Sequence, residues 1–482
     1  MTALSADIQA FCRRPAAEIL ADIRSGRVSA RETMEAHLAC IAAWNPAVNA
    51  IVTLVAEDAL RAAAAADAAQ ARGEPLGPLH GLPVAHKDSF STKGLRTTFG
   101  SRVFADNVPA CDSIVVERQR RAGAVTVGKT NLPEFGAGSQ TFNALFGATR
   151  NPYDLGKTPG GSSGGSAAAL ACGMVALADG SDMGGSLRNP ASFCNVVGLR
   201  PAVGRVPQWP AADPFGGLTV AGPMGRTVTD VALLLSVLAG EDPRDPVSLP
   251  GDGAAFAQSL ERGFRGCRIA FSEDLGLPVA ADVRAATRAC VPVFEDIGCI
   301  VEAATPDFRG AAESFQALRG LAFASGYGGL LPRCRGVLKD TVVWNIEYGQ
   351  TLTGSDVAAA GLARAALVQR MRSFMETHEF LVAPVSQVAP FPVEEEYIRN
   401  IEGVDMPTYI DWMRSAFYIS LSGHPAISVP FGFTPEGLPV GIQIVGRHRD
   451  EIGVLRLAYA VERAVGAWRA APRLPPEERE AR

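Results

Sequence analysis

An α/β fold, with a central twisted mixed sheet surrounded by helices, is the expectation from this sequence, and three observations predict it. From Gly81 onward short β-branched runs alternate with helical segments, the pattern of a sheet covered on both faces. At 482 residues, 47% hydrophobic and 20% charged, the chain is long and apolar enough to bury a large core. Fifty glycines and 33 prolines supply many shaped turns between those runs.

Taken in order, residues 1–75 read as a helical front end of the same domain, with helices over Ala16–Arg24, Ser29–Trp44 and Glu57–Arg72. Ser29 before a helical run is a serine cap. The main domain is placed at 76–470. It opens on the apolar run "GLPVAHKDSF", then "SIVVERQRRAG" predicts a helix, "AVTVG" a strand, "SAAALACGM" an apolar helix and "VALADGSD" a strand. Between Gly266 and Pro306, "CRIAF", "DVRAATRACVPVFEDIG" and "CIVEAA" form a strand, helix, strand unit assigned to the same sheet. Residues 310–355 and 393–418 read as irregular and aromatic, so a substrate-capping region is placed at about 310–420. "HPAISVPFG" and "LPVGIQIVG" flank the turn "FTPEG" as a buried hairpin. The helix "EIGVLRLAYAVERAVG" closes the fold, and 471–482 is read as a solvated tail.

A net charge of −5 supplies no basic field for nucleic acid or an anionic membrane, so the expected partner is a small, neutral molecule. The nine cysteines are scattered and form no Cys-x-x-Cys pair, which points to reduced thiols rather than a zinc site or a disulfide frame. The start of the chain lacks the order of a signal peptide, and no run of about 18 apolar residues is present. A cytoplasmic location follows as an expectation.

Several motifs compete for the chemistry. "GAVTVGKT" at Gly123–Thr130 fits the phosphate-loop template, but a charged helix precedes its first glycine and "AVTV" is itself the strand. "GGSSG" at Gly160–Gly164 fits a nucleophile elbow, yet the proline-containing "RNPYDLGKTPGG" before it is a loop where an elbow needs a strand. His424, between Gly423 and Pro425, is assigned a structural role.

Three stretches remain: "VAHKDSF", "PGGSSGGSAAAL" and "SDMGGSLRNP". Lys87 lies in an apolar strand, where its charge is costly unless it is paired or loses its proton, and this makes it a candidate base. Pairing with Asp88 is disfavoured, because neighbours in a strand point to opposite faces. Glycines on both sides of Ser162 and Ser163 suit either a strained, hydroxyl-presenting backbone or a flexible loop capping the next helix. Backbone N–H groups at Met183, Gly184, Gly185 and Ser186 can converge on a developing oxyanion.

With these three stretches in this order, the chain resembles the amidase signature family of serine hydrolases. "GKTNLPEFG", "FGATRNPYD", "NVVGLRPAVGRVP", "GPMGRTVTDVALLL" and "GHPAISVPFG" with "GLPVGIQIVG" resemble its other blocks, so the likeness runs from about residue 20 to 468. The resemblance implies the amidase signature fold, Ser186 as acylating nucleophile, and Ser162 as a bridging serine held by a cis peptide after Gly161. It implies Lys87 as a neutral base reached through Ser162. Met183 to Ser186 would form the oxyanion hole. Ser163 would support Lys87 or the loop, and Asp182 with Arg188 would brace the turn as an internal charged pair. Two positions depart from the family pattern: Asn195 replaces a frequent glycine and Met183 a frequent threonine.

The expected activity is hydrolysis of an aryl or hydrophobic amide, with esters and carbamates open to the same acyl transfer. Phe315, Trp344, Tyr348, Tyr397, Tyr409, Trp412 and Phe417 are the aromatic residues that favour such a substrate. No metal or organic cofactor is expected. A homodimer is expected only from the family. The alternatives are a subunit of a glutamyl-tRNA amidotransferase, a carbamate or urea-derivative hydrolase of the same family, and a catalytically silent binding protein.

Overall fold

The computed structural model describes residues 4–473, so the part of the expected solvated tail beyond Arg473 lies outside the described residues. Eleven strands form one mixed sheet. Across it the order is Ile51–Leu54, Val125–Thr130, Pro83–Lys87, Leu177–Asp182, Val220–Gly225, Val197–Arg200, Ala426–Phe433, Pro439–Gly446, Phe380–Pro384, Arg268–Phe271 and Ile300–Ala303. Pro83–Lys87 runs parallel to both of its neighbours, whereas the middle of the sheet is antiparallel. The strand, helix, strand unit before Pro306 joins the far edge through parallel pairing of Ile300 with Arg268. Its helical part is broken into Ala281–Arg288 and Val291–Asp296.

All five residues of Pro83–Lys87 are buried, which explains its unbroken apolar pattern: a parallel strand covered on both faces has no solvent side to mark with polar residues. Against it packs the short helix Gly164–Ala171, buried along its whole length. Its small residues also let it close on the end of the neighbouring strand Val125–Thr130, since a β-carbon on Gly165 would stand 2.3 Å from the Asn131 nitrogen. The front end is helical, and Ser29 makes a full capping box with Glu32. It also contributes the edge strand Ile51–Leu54, which a helical reading of 1–75 misses because only four residues form it.

The segment expected to be irregular is mostly helical: Ala311–Tyr327, Asp340–Thr351 and Gly354–Thr377 are helices. The last opens on a capping box of Thr353 and Asp356, a signal present in the sequence but masked by the surrounding aromatic residues. The first and last pack with Trp412, Phe417 and neighbours into a second core, separate from the cluster that covers most of the sheet, while Val342, Val343 and Ile346 of Asp340–Thr351 join Phe323 in a smaller cluster. Apart from Cys111 and Cys334 the cysteines are buried, and all are unpaired thiols. Among the described residues no helix is long and apolar enough to cross a membrane.

Candidate active site

Lys87 ends its strand, and Ser181 and Asp182 end the parallel neighbour Leu177–Asp182, so the three side chains gather at one rim of the sheet. The lysine is fully buried. Its Nζ lies 2.7 Å from Ser162 Oγ, 3.0 Å from Ser163 Oγ and 3.0 Å from Ser181 Oγ. No carboxylate among the described residues forms an ion pair with it. Burial therefore pulls its pKa down to about 7, and the more distant Asp182 and Asp179 only partly oppose that fall. Asp179 is held elsewhere: its carboxylate takes hydrogen bonds from the Lys87 backbone N–H at 2.8 Å and from Gln119 at 2.8 Å, and lies 2.6 Å from His86 Nδ1.

Ser163 stands at the N-cap of the Gly164–Ala171 helix, yet its side chain makes no capping bond. Its hydroxyl faces Lys87 instead. The peptide between Gly161 and Ser162 is cis. Two hydrogen bonds tie this segment to the turn that carries Ser186: Gly161 N–H donates to Asn189 Oδ1 at 3.1 Å, and Ser163 N–H donates to the Ser186 carbonyl at 3.2 Å. Exposure falls from 8% at Ser186 to 3% at Ser162 and 0% at Lys87, so all three groups are buried.

The turn from Asp182 to Arg188 is built around a buried carboxylate. Arg188 donates to Asp182 through Nε and Nη2, each at 3.0 Å, and Arg200 adds a contact at 3.3 Å. Burial alone would raise the Asp182 pKa, but Arg188, Arg200 and the Gly185 N–H together hold it well below the usual carboxylate range. Arg188 also reaches Gln443 and Ser420, which anchors the turn to the hairpin and to the Arg414–Ser422 helix. Gly185 has φ +111 and faces the Ala416 side chain, so a residue with a β-carbon fits neither its backbone nor its space.

This geometry narrows the expected set of oxyanion donors. The Gly185 N–H donates to Asp182 at 2.9 Å and is not free for a ligand, which leaves those of Met183, Gly184 and Ser186. Sequence reasoning also missed Arg200 and Ser181. Arg200 lies 18 residues from its partner and is brought to it by pairing across the sheet. Ser181 lies within the Asp179–Pro190 stretch, with no local signal to mark the direction of its side chain.

The competing motifs resolve structurally. Lys129 of "GAVTVGKT" lies in the strand Val125–Thr130, caged by the Phe90 carbonyl, Thr92 and Thr97, with Asp88 4.0 Å away. That cage is a structural lysine site and leaves no phosphate cradle. Asp88 thus faces Lys129 and not its neighbour Lys87. His424 bonds locally to Ser422. Asn195 adopts φ +55, a conformation that asparagine tolerates better than most residues, and donates to the Ala467 carbonyl at 2.9 Å.

Beside Lys87, Ser181 and Met183 opens a cavity of about 920 Å³. Its aromatic wall is Phe90, Phe99, Phe135, Trp209, Phe323 and Tyr327. None of the seven aromatic residues expected to supply that wall lines it. Phe315 and Phe417 stack on each other with centroids 4.1 Å apart, and Trp344 stacks on Tyr348; both pairs belong to the packing of the helical layer. Gly136 also lines the cavity, and a β-carbon there would stand 3.4 Å from Ser162 Oγ, so the Ser162 hydroxyl lies just behind the lining.

This fold with this site, and the known proteins that share it, define a hydrolase acting on amide C–N bonds. A sequence profile of the family Amidase matches residues 32–455. An acylamidase from Rhodococcus erythropolis is 39% identical over 94% of this chain and 95% of its own length. A glutamyl-tRNA(Gln) amidotransferase subunit from Synechococcus sp. strain CC9605 is 36% identical over 93% of this chain and 96% of its own. A crystal structure of a bacterial aryl acylamidase superposes with a TM-score of 0.89 at 30% identity, covering 94% of this chain and 96% of the other. The chain belongs to the amidase signature family.

Proposed function

We propose that this enzyme hydrolyses neutral aryl or hydrophobic amides by acyl transfer to Ser186, with Ser162 as proton bridge and Lys87 as base. The observation that carries the reading is a fully buried lysine surrounded by three serine hydroxyls with no carboxylate paired to it. A neutral amine has two N–H groups and one lone pair. The N–H groups donate to Ser163 and Ser181, which aims the lone pair at the Ser162 O–H.

Ser186 Oγ attacks the amide carbon and passes its proton to Ser162, whose own proton moves to Lys87 Nζ. The N–H groups of Met183, Gly184 and Ser186 stabilise the oxyanion. As the C–N bond breaks, the proton returns through Ser162 to the departing nitrogen. Water then attacks the acyl-enzyme, loses its proton by the same route, and releases the acid.

The substrate class rests on the cavity. Six aromatic rings line it, and apart from Lys87 its charged residues are engaged by the backbone: Asp213 accepts from the Phe215 N–H, Asp245 from the Gln208 and Val247 N–H groups, and Arg364 donates to the carbonyls of Leu421 and Gly217. A neutral, apolar group fits such a wall. The names carried by the acylamidase and aryl acylamidase relatives agree with that choice.

The test uses the purified chain alone with 4-nitroacetanilide and a fluorophosphonate probe. Turnover is expected without a partner, and Ser186→Ala is expected to abolish both turnover and labelling. Activity that appears only with added partner subunits supports the amidotransferase reading, and undiminished labelling of Ser186→Ala refutes the nucleophile. With a base of pKa about 7, kcat/KM is expected to fall tenfold per pH unit on the acid side of that value, because protonation removes the lone pair. An acid limb centred below pH 5 overturns the assignment of Lys87.

A further inference from the structure

The helix Ala311–Tyr327 lays one face against the Met183–Gly184 turn, with Phe315 Cζ 3.1 Å from where a Gly184 β-carbon would stand. One helical turn further on, Arg319 is 4% exposed and makes no ion pair with any described residue. Its Nε and Nη2 both donate to the Tyr409 hydroxyl, at 3.1 and 2.7 Å. Its Nη1 lies 3.0 Å from the Met183 sulfur, a weak acceptor. The rings of Phe323 and Tyr409 flank the guanidinium. A buried guanidinium bounded by a phenol, a thioether and aromatic faces lacks the anion that normally offsets its desolvation.

The same imbalance extends under the turn. Arg188 and Arg200 share the single carboxylate of Asp182, while Asp179, the next buried acid, is engaged by His86, Gln119 and the Lys87 N–H. Around Met183 to Ser186 the resting enzyme therefore holds buried positive charge in excess. A fixed cation in a dry site stabilises an anion that forms beside it without reorganisation at that moment.

We infer that Arg319 is a positioning residue whose uncompensated charge, seated behind Met183, stabilises the oxyanion formed on the Met183–Ser186 turn. Its counter-ion is present only in the tetrahedral intermediate. Met183 thereby has a role as the soft contact between that cation and the turn. The inference rests on the proposed acyl transfer to Ser186.

The test compares Arg319→Met and Arg319→Lys with the wild type, using 4-nitroacetanilide as neutral substrate and phenylboronic acid, which becomes an anionic tetrahedral adduct on a serine. For Arg319→Met, kcat is expected to fall about tenfold or more with KM within twofold, and boronate affinity is expected to weaken by a similar factor. Arg319→Lys is expected to restore most of both. A loss of kcat with unchanged boronate affinity, or parallel losses that lysine fails to restore, assigns Arg319 to structure only and overturns the inference, as does a kcat change below threefold. If Ser186→Ala itself retains turnover, the acyl-transfer reading fails first, and that result is separate from any behaviour of the Arg319 variants.

Discussion

Replacing Lys87 with alanine is expected to lower kcat/KM for a neutral anilide by about 10³-fold, the scale at which a positioned general base contributes. The loss belongs to the proton route and leaves binding intact: Ser186 and the aromatic wall remain, and KM is expected to change little. Steady-state kinetics beside a thermal melt make the check. Activity within tenfold of wild type in a folded Lys87→Ala enzyme excludes the lysine as base. The expectation follows from burial, because an amine kept from water among hydroxyls, with its pKa lowered to about 7, is about half neutral at pH 7 and so has a lone pair to offer.

Asp182→Asn is expected to destabilise the fold by about 3–5 kcal/mol at neutral pH, since it leaves Arg188 and Arg200 buried without their shared anion. The pH dependence has a definite sign. The folded-state pKa of Asp182 lies below its ordinary value of 3.8, so its contribution is fully present above that value and is lost as pH falls from there toward the folded pKa. The gap between wild type and variant is expected to be constant near neutrality and to narrow below about pH 4. Urea unfolding at several pH values measures it. A difference under 1 kcal/mol at pH 7 shows that the turn does not depend on this carboxylate.

Much of this arrangement is legible in the sequence. The apolar run holding Lys87 announces a buried lysine, and glycines packed around Ser162 and Ser186 announce close backbone approach. What stays hidden depends on tertiary pairing. Arg200 reaches Asp182 across the strand Val220–Gly225 that lies between theirs in the sheet, and no local pattern records that. The helix Ala311–Tyr327 is obscured for a different reason: its buried face carries Phe315 and Phe323, and aromatic residues favour strands at least as readily as helices. The same bias misassigns the cavity wall. Tyr409 and Trp412 are core residues, whereas Phe90 and Phe99, in the loop after Lys87, face the cavity.

Part of that wall is drawn from chain remote in sequence from the buried lysine and serines. Trp209, Phe323 and Tyr327 come from segments that supply none of Lys87, Ser162 and Ser186. Replacing those three side chains therefore reshapes the cavity without removing Lys87, Ser162 or Ser186. Pocket shape on this scaffold can thus vary by single side-chain exchanges while the lysine and the two serines keep their places.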